Sequence, residues 1–259
     1  MNKGFTLIEL IVVMVVFGIV AGMGSSFVVT SITAYNQAAE RNKLVLRSRA
    51  VVERMSRQLR IALPYSVRVS SSGRCVEFMQ LSGGANYKGL VSDASNGAPA
   101  SMTINTAPFS LNMGNAVHVA VGAMSEDEIY TTSATASRAT IASLAGAPIT
   151  QINLAAAHRF IRNSINERVY VMESPERFCV VSGQLWHYSN YGLDTGALSD
   201  ANPGGSNALM SDDVVEVAPV FSLSPATESR NTIIDIQFAL SRQGETMAIN
   251  HKVQIRNVP

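Results

Sequence analysis

Residues 5 to 29, FTLIELIVVMVVFGIVAGMGSSFVV, carry one charge, Glu9, and the next charged residue is Glu40. Held as a helix, such a run is long enough to cross a hydrocarbon layer about 30 Å thick, which takes roughly 20 residues. Met1, Asn2, Lys3 and Gly4 precede it, and the positive charge of Lys3 places that end on the cytoplasmic side. Glu9 is the difficulty. An ionised carboxylate on a lipid-facing helix costs about 2.5–3.5 kcal/mol even on the milder insertion scales, so it needs a partner. An ordinary secretory signal would take Lys3 as its basic region, Leu10 to Ala21 as its apolar region and Gly22-Met23-Gly24 as its cleavage site. A carboxylate at the head of the apolar region argues against that, as does the helical pattern that follows directly. A plain signal anchor for a periplasmic enzyme is the other alternative.

From Thr30 to Leu63 there is neither proline nor glycine. Leu44, Val51, Val52, Met55, Leu59 and Ala62 recur at steps of three and four, while Arg47, Arg54, Arg57 and Arg60 mostly take other faces. This spacing predicts an amphipathic helix that Pro64 stops. Joined to the apolar run, it makes one helix over 5–63, roughly 85–90 Å long. Its first half projects and its second half packs an apolar stripe on a sheet. Gly18, Gly22 and Gly24 weaken the apolar half by about 1 kcal/mol each relative to alanine, which allows local melting.

Beyond Pro64 the period changes to two. Val67 and Val69 alternate with polar neighbours, Ser71-Ser72-Gly73 is a turn, and Cys75 to Phe78 returns as a strand. The stretch 82–151 is punctuated by Gly83-Gly84, Asn96-Gly97, Pro99, Pro108, Gly114 and Gly146. It reads as a loosely ordered insertion with short strands at 117–121, 128–132 and 138–142. The last third reads as an antiparallel meander. Strands are predicted at 168–172 and 178–181 around a Ser174-Pro175 turn, then at 184–188, 214–217, 233–240 and 247–258. The final hairpin turns at Ser241 to Glu245, and Val253 and Ile255 alternate with Lys252 and Gln254, giving one buried and one wet face. Phe178, Trp186, Tyr188 and Tyr191 are assigned to the core rather than to a ligand platform.

Charge is unevenly distributed. Between 25 and 64 there are seven Arg/Lys against two Glu, a net +5, and from 65 onward 12 against 16, a net −4. That asymmetry suits contacts between head and stalk of different subunits, attraction of the stalk base to anionic lipid, or a solvated helix face. No catalytic constellation is present. His118, His158, His187 and His251 show no metal-ligand spacing, and there is no nucleophile elbow or phosphate-binding loop. The acidic stretches at 126–128, 194–202 and 212–213 lack a calcium-ligand register and read as solvated turns. No cofactor, metal or nucleic acid is implied.

Lys3-Gly4 followed by Phe5-Thr6-Leu7-Ile8-Glu9 resembles the leader and mature N-terminus of type IV pilins and type II secretion pseudopilins. The run from Arg168 to Tyr191, the Gly244-Glu245 hairpin and the closing 253–259 resemble the larger minor pilins, those of the mannose-sensitive haemagglutinin pilus most. J-type pseudopilins and PilW-type minor pilins are similar too. The resemblance implies an α+β, lollipop-shaped molecule whose long N-terminal helix packs on an antiparallel β-sheet head. Its parts are a leader at 1–4, a transmembrane or filament-core helix at 5–29, the amphipathic half of that helix at 30–63, and a periplasmic head at 64–259. It also implies cleavage by prepilin peptidase after Gly4, N-methylation of Phe5, and a role for Glu9 in assembly against a neighbour's N-terminal amine. The implied partners are other minor pilins, the major pilin, the inner-membrane assembly platform and the bilayer. The implied location is the inner membrane first and the pilus fibre or tip afterwards. The implied work is structural and not enzymatic: priming or capping a pilus, with a secretion pseudopilus or a tip adhesin as the alternatives. In an exported head, Cys75 and Cys179 either join in a disulfide or remain as two buried thiols.

Overall fold

The computed structural model describes residues 4–225 and 231–255. The readings that fall on Met1 to Lys3 and on 256–259 lie outside the described residues. Helix α1, Leu7–Arg60, has 54 residues and a length of about 81 Å at 1.5 Å per residue. It is continuous through Gly18, Gly22 and Gly24. Every residue from 4 to 38 is exposed. Farther on, Glu40, Leu44, Ser48, Val51, Met55 and Leu59 are buried at steps of four and three, the spacing of a single helix face. Arg60 ends the helix three residues before the sequence pattern does. Ile61 and Leu63 exchange backbone hydrogen bonds with the strand that runs through Met79 and Leu81, Leu81 N to Ile61 O at 2.9 Å and Leu63 N to Met79 O at 3.0 Å. Those carbonyls and amides are therefore unavailable to a further helical turn.

Among the described residues the head contains twelve strands: β1 Arg68–Val69, β2 Cys75–Asn86, β3 Ser101–Phe109, β4 His118–Val121, β5 Arg138–Ala145, β6 Ile149–His158, β7 Arg168–Val181, β8 Gln184–Ser189, β9 Ser206–Ser211, β10 Val214–Ser224, β11 Thr232–Arg242 and β12 Glu245–Ile255. The first nine make one sheet in the order β1-β2-β7-β4-β5-β6-β3, with β8 and β9 continuing from β7, and β10-β11-β12 form a second sheet. All of these pairings are antiparallel.

Two main cores result. The first joins the buried face of α1 to Val76 and Phe78 of β2, Phe178 and Val180 of β7, and Ile234, Phe238, Val253 and Ile255 of the second sheet. The second is farther from the helix and unites Ile104, Val119, Ile152, Leu154, Phe160 and Val171. Strand β7 contributes to both, which ties the two halves of the head together. Cys75 and Cys179 are directly opposed on β2 and β7 and form a disulfide with a Cα–Cα separation of 4.2 Å. It closes a loop of 104 residues, so in the chain-entropy view it removes up to about 4.7 kcal/mol of freedom from the unfolded chain.

Three expectations need correction. The stretch 82–151 is no loose insertion: it supplies β3, β4, β5 and the start of β6, while 128–132 forms no strand. Its glycines and prolines mark the ends and irregularities of strands, as at the register shift between Asn105 and Phe109 that accommodates Pro108. Ser174-Pro175 is not a turn either. Pro175 lies within the unbroken β7, opposite Met79, next to a register shift between Met79 and Leu81. An irregularity of this kind is where a residue without an N–H is tolerated in a sheet. Lastly, β9 was absent from the sequence reading, because SNALMS has no clear alternation. By contrast, the final hairpin turns where expected. Gln243 and Gly244 have φ of 50° and 81°, as a two-residue turn between twisted strands requires.

Candidate processing and assembly segment

The N-terminal segment is built by the start of α1. Gly4, Phe5 and Thr6 lie outside the helix, and Thr6 is extended, with φ −84° and ψ 148°. The amides of Glu9 and Leu10 both donate to the Thr6 carbonyl, at 3.1 and 3.3 Å. Phe5 is 76% exposed. A Cβ added at Gly4 would meet nothing within 4 Å, so the fold itself does not require glycine there. Glu9 falls in the first turn, where the unsatisfied amides of the helix start favour an anion. The helix from Leu7 is long and apolar enough to cross a membrane. The structure thus presents an open, non-helical peptide directly ahead of an apolar rod with one acid in its first turn.

The helix meets the head through ion pairs as well as its apolar stripe. Arg41 donates to Glu245 at 2.9 Å, Arg47 pairs with Asp212, and Arg242 of β11 lies 3.8 Å from Glu40. Arg54 approaches His187 Nδ1 at 3.3 Å, and His187 Nε2 lies 2.8 Å from Glu176. Part of the stalk's positive charge is therefore used within the chain. His187 sits on β8 between β7 and β9 as a bridge from sheet to helix.

Sequence reasoning missed the most buried charge cluster. Glu77 is fully buried, with Arg68 at 2.5 Å on one carboxylate oxygen and Arg177 at 2.8 Å on the other. Tyr191 donates its hydroxyl to the same carboxylate at 2.8 Å, and the Arg68 guanidinium lies 3.8 Å above the Tyr130 ring. Burial and the adjacent Glu77 push the Tyr191 hydroxyl far above its ordinary value, so it stays protonated and donates to that carboxylate. The two arginines also bond the carbonyls of Asp194, Gly196, Ser199 and Ala201. The cluster pins the irregular 194–201 segment to the sheet. Its members lie at no recognisable spacing, and only the pairing of β1, β2 and β7 brings them together.

His118 is buried beside Arg138, whose guanidinium lies 3.0 Å from His118 Nδ1. Burial, reinforced by that positive charge, lowers the imidazole to about 4. His158 places Nε2 2.9 Å from the Ala136 carbonyl. Phe178, Tyr188 and Tyr191 are buried and Trp186 is half-buried, in the core positions assigned to them. Among the described residues, no group of three or more His, Cys, Asp or Glu side chains converges to hold a metal ion.

Residues 1–25 match the family model for the prokaryotic N-terminal methylation motif. Comparison with curated proteins and with solved structures gave no match. The motif and the apolar helix that carries it support a type IV pilin-like protein. The motif implies processing by prepilin peptidase and assembly with other pilins, and the helix fits membrane anchoring before assembly.

Proposed function

We propose that this chain is a minor pilin of a type IV pilus, similar to MshO of the mannose-sensitive haemagglutinin pilus, and that it helps to prime or cap the fibre and so supports attachment. The observation that carries this reading is the methylation motif at residues 1–25 at the head of a helix exposed from its start to residue 38. An apolar surface of that extent is stable only in lipid or against other apolar rods. In the bilayer the rod anchors the chain with its head in the periplasm, and in a fibre it packs in the core. Prepilin peptidase cleaves after Gly4, where the backbone is exposed and outside the helix, and Phe5 becomes the methylated first residue. Its new ammonium and the Glu9 carboxylate of a neighbouring subunit neutralise one another in surroundings that tolerate neither alone.

Replacing the native copy with Glu9→Leu tests this. The variant is expected to insert and to be processed, while its amount in sheared fibres drops at least tenfold. Undiminished incorporation would contradict the role given to Glu9. Normal piliation and attachment in a strain lacking the protein would contradict the priming role.

A further inference from the structure

A groove of about 830 Å3 runs between the last turns of α1 and strand β12. Strand β12 is the outer strand of the three-stranded sheet, so the groove follows an open sheet edge. Arg49, Arg57 and Arg60 of α1 line it together with Glu53, which leaves a net positive charge, and among the described residues none of the three arginines has a hydrogen-bond or ion-pair partner. They differ in this from the other stalk cations, since Arg41, Lys43, Arg47 and Arg54 all engage groups of this chain. Val52, Met247 and Ile249 supply apolar surface between them.

The same groove holds two buried polar atoms without a partner among the described residues, Ser56 Oγ and His251 Nε2. Ser56 is 95% buried, its relative exposure being 5%. Two turns earlier on the same helix, Ser48 returns its hydroxyl to the Val45 carbonyl at 2.9 Å, as Ser25, Ser26, Thr30 and Thr33 do to theirs. A buried hydroxyl or imidazole nitrogen left unpaired costs about 1–3 kcal/mol, which an occupant with its own donors and acceptors recovers.

We infer that the groove receives an extended, acidic segment of a second pilin-type subunit, added alongside β12 as a further strand. This rests on the assembly reading above and names the site through which a partner is held. The open edge offers a row of backbone groups for pairing. The arginines run beside it for about 16 Å from Arg49 to Arg60, the length of a strand of five residues at roughly 3.3 Å each. Acidic side chains on that strand meet the guanidiniums, and apolar ones meet Val52 and Met247. Anionic lipid is the wrong source of negative charge. Arg49 lies 20 residues beyond Val29, about 30 Å along the helix, whereas headgroups add only about 5–8 Å to each side of the hydrocarbon layer.

The test uses the full-length chain in its own cells, with the photo-crosslinking residue p-benzoylphenylalanine at Asn250, exposed on β12, or at Thr103 on the distal sheet as control. Irradiation is expected to give an Asn250 adduct with another protein bearing the methylation motif, mapped by mass spectrometry to an acidic, extended segment. Combining the probe with R49E/R57E/R60E is expected to cut the adduct at least tenfold while N-terminal processing and the disulfide remain. A phospholipid adduct, an adduct with a protein lacking the motif, no adduct, or a yield indifferent to charge reversal would overturn the inference. An Asn250 adduct of the expected kind in cells that still make normal fibres without the protein would keep the groove and remove the priming role. No Asn250 adduct in the chain with its arginines intact, together with normal fibre incorporation, would do the reverse.

Discussion

The two halves of α1 are one continuous helix facing two different solvents. From Leu7 to residue 38 all sides are exposed, and as far as Val29 they are mostly apolar, so the chain supplies no partner for that surface. From Glu40 to Leu59 only one face is buried, against the head, and the rest carries charge. The first half takes its stability from a bilayer or a fibre, the second from its own fold. Stability of the head and competence to assemble should therefore respond to different residues.

The strongest way to break that comparison is at Glu77. Glu77→Leu leaves Arg68 buried without its counter-ion and Arg177 with only the partly exposed Asp194 at 3.2 Å. We predict a loss of about 3–5 kcal/mol in denaturant unfolding of the full-length protein in detergent, with membrane insertion unchanged. A loss below 1 kcal/mol would mean that the cluster is not closed to water. Next is a matched pair along the helix. Met55→Ala, fully buried, should cost about 2–5 kcal/mol, while Val15→Ala in the exposed half should leave head unfolding within about 0.5 kcal/mol. Equal effects would abolish the distinction between the two halves.

pH sharpens it further. His118 is held near 4 by burial and Arg138, whereas the unfolded chain protonates near 6.5. The neutral ring is the form the fold accepts, so its contribution is complete above pH 6.5 and is lost as pH falls from 6.5 towards 4. The total is on the order of 3 kcal/mol. His118→Gln should flatten this part of the stability profile, and an unchanged slope would show that other groups produce it. The smallest effect is expected at the stalk surface. Arg41 is largely exposed in its pair with Glu245, so Arg41→Ala should cost under about 1 kcal/mol, less still in high salt.

What could be read in the sequence was what depends on near neighbours. The stripe from Leu44 to Leu59, the alternation of Val253 with Lys252 and Gln254, and the Gln243-Gly244 turn are all set by local periodicity and backbone freedom. Glu40, Ser48 and Ser56 also belong to the buried face, but polar side chains carry no apolar signal. Pro175 misled because an isolated proline reads as a stop, while a sheet accepts it beside an irregularity. The cluster at Glu77 was illegible for a different reason: Arg68 and Arg177 are brought to it by pairing across β1, β2 and β7. Of the N-terminal segment, the roles proposed for Gly4, Phe5 and Glu9 rest on the motif at residues 4–9 alone. The groove beside β12 was not, since an open edge is a property of the assembled sheet.

Mass spectrometry of the N-terminal peptide, taken from protein recovered from membranes or fibres, tests the central claim most directly. The account predicts a mature chain beginning at Phe5 with a methylated amine, and the unprocessed chain in cells without prepilin peptidase. A chain beginning at any other residue, or one whose start is the same in cells lacking the peptidase, would contradict it.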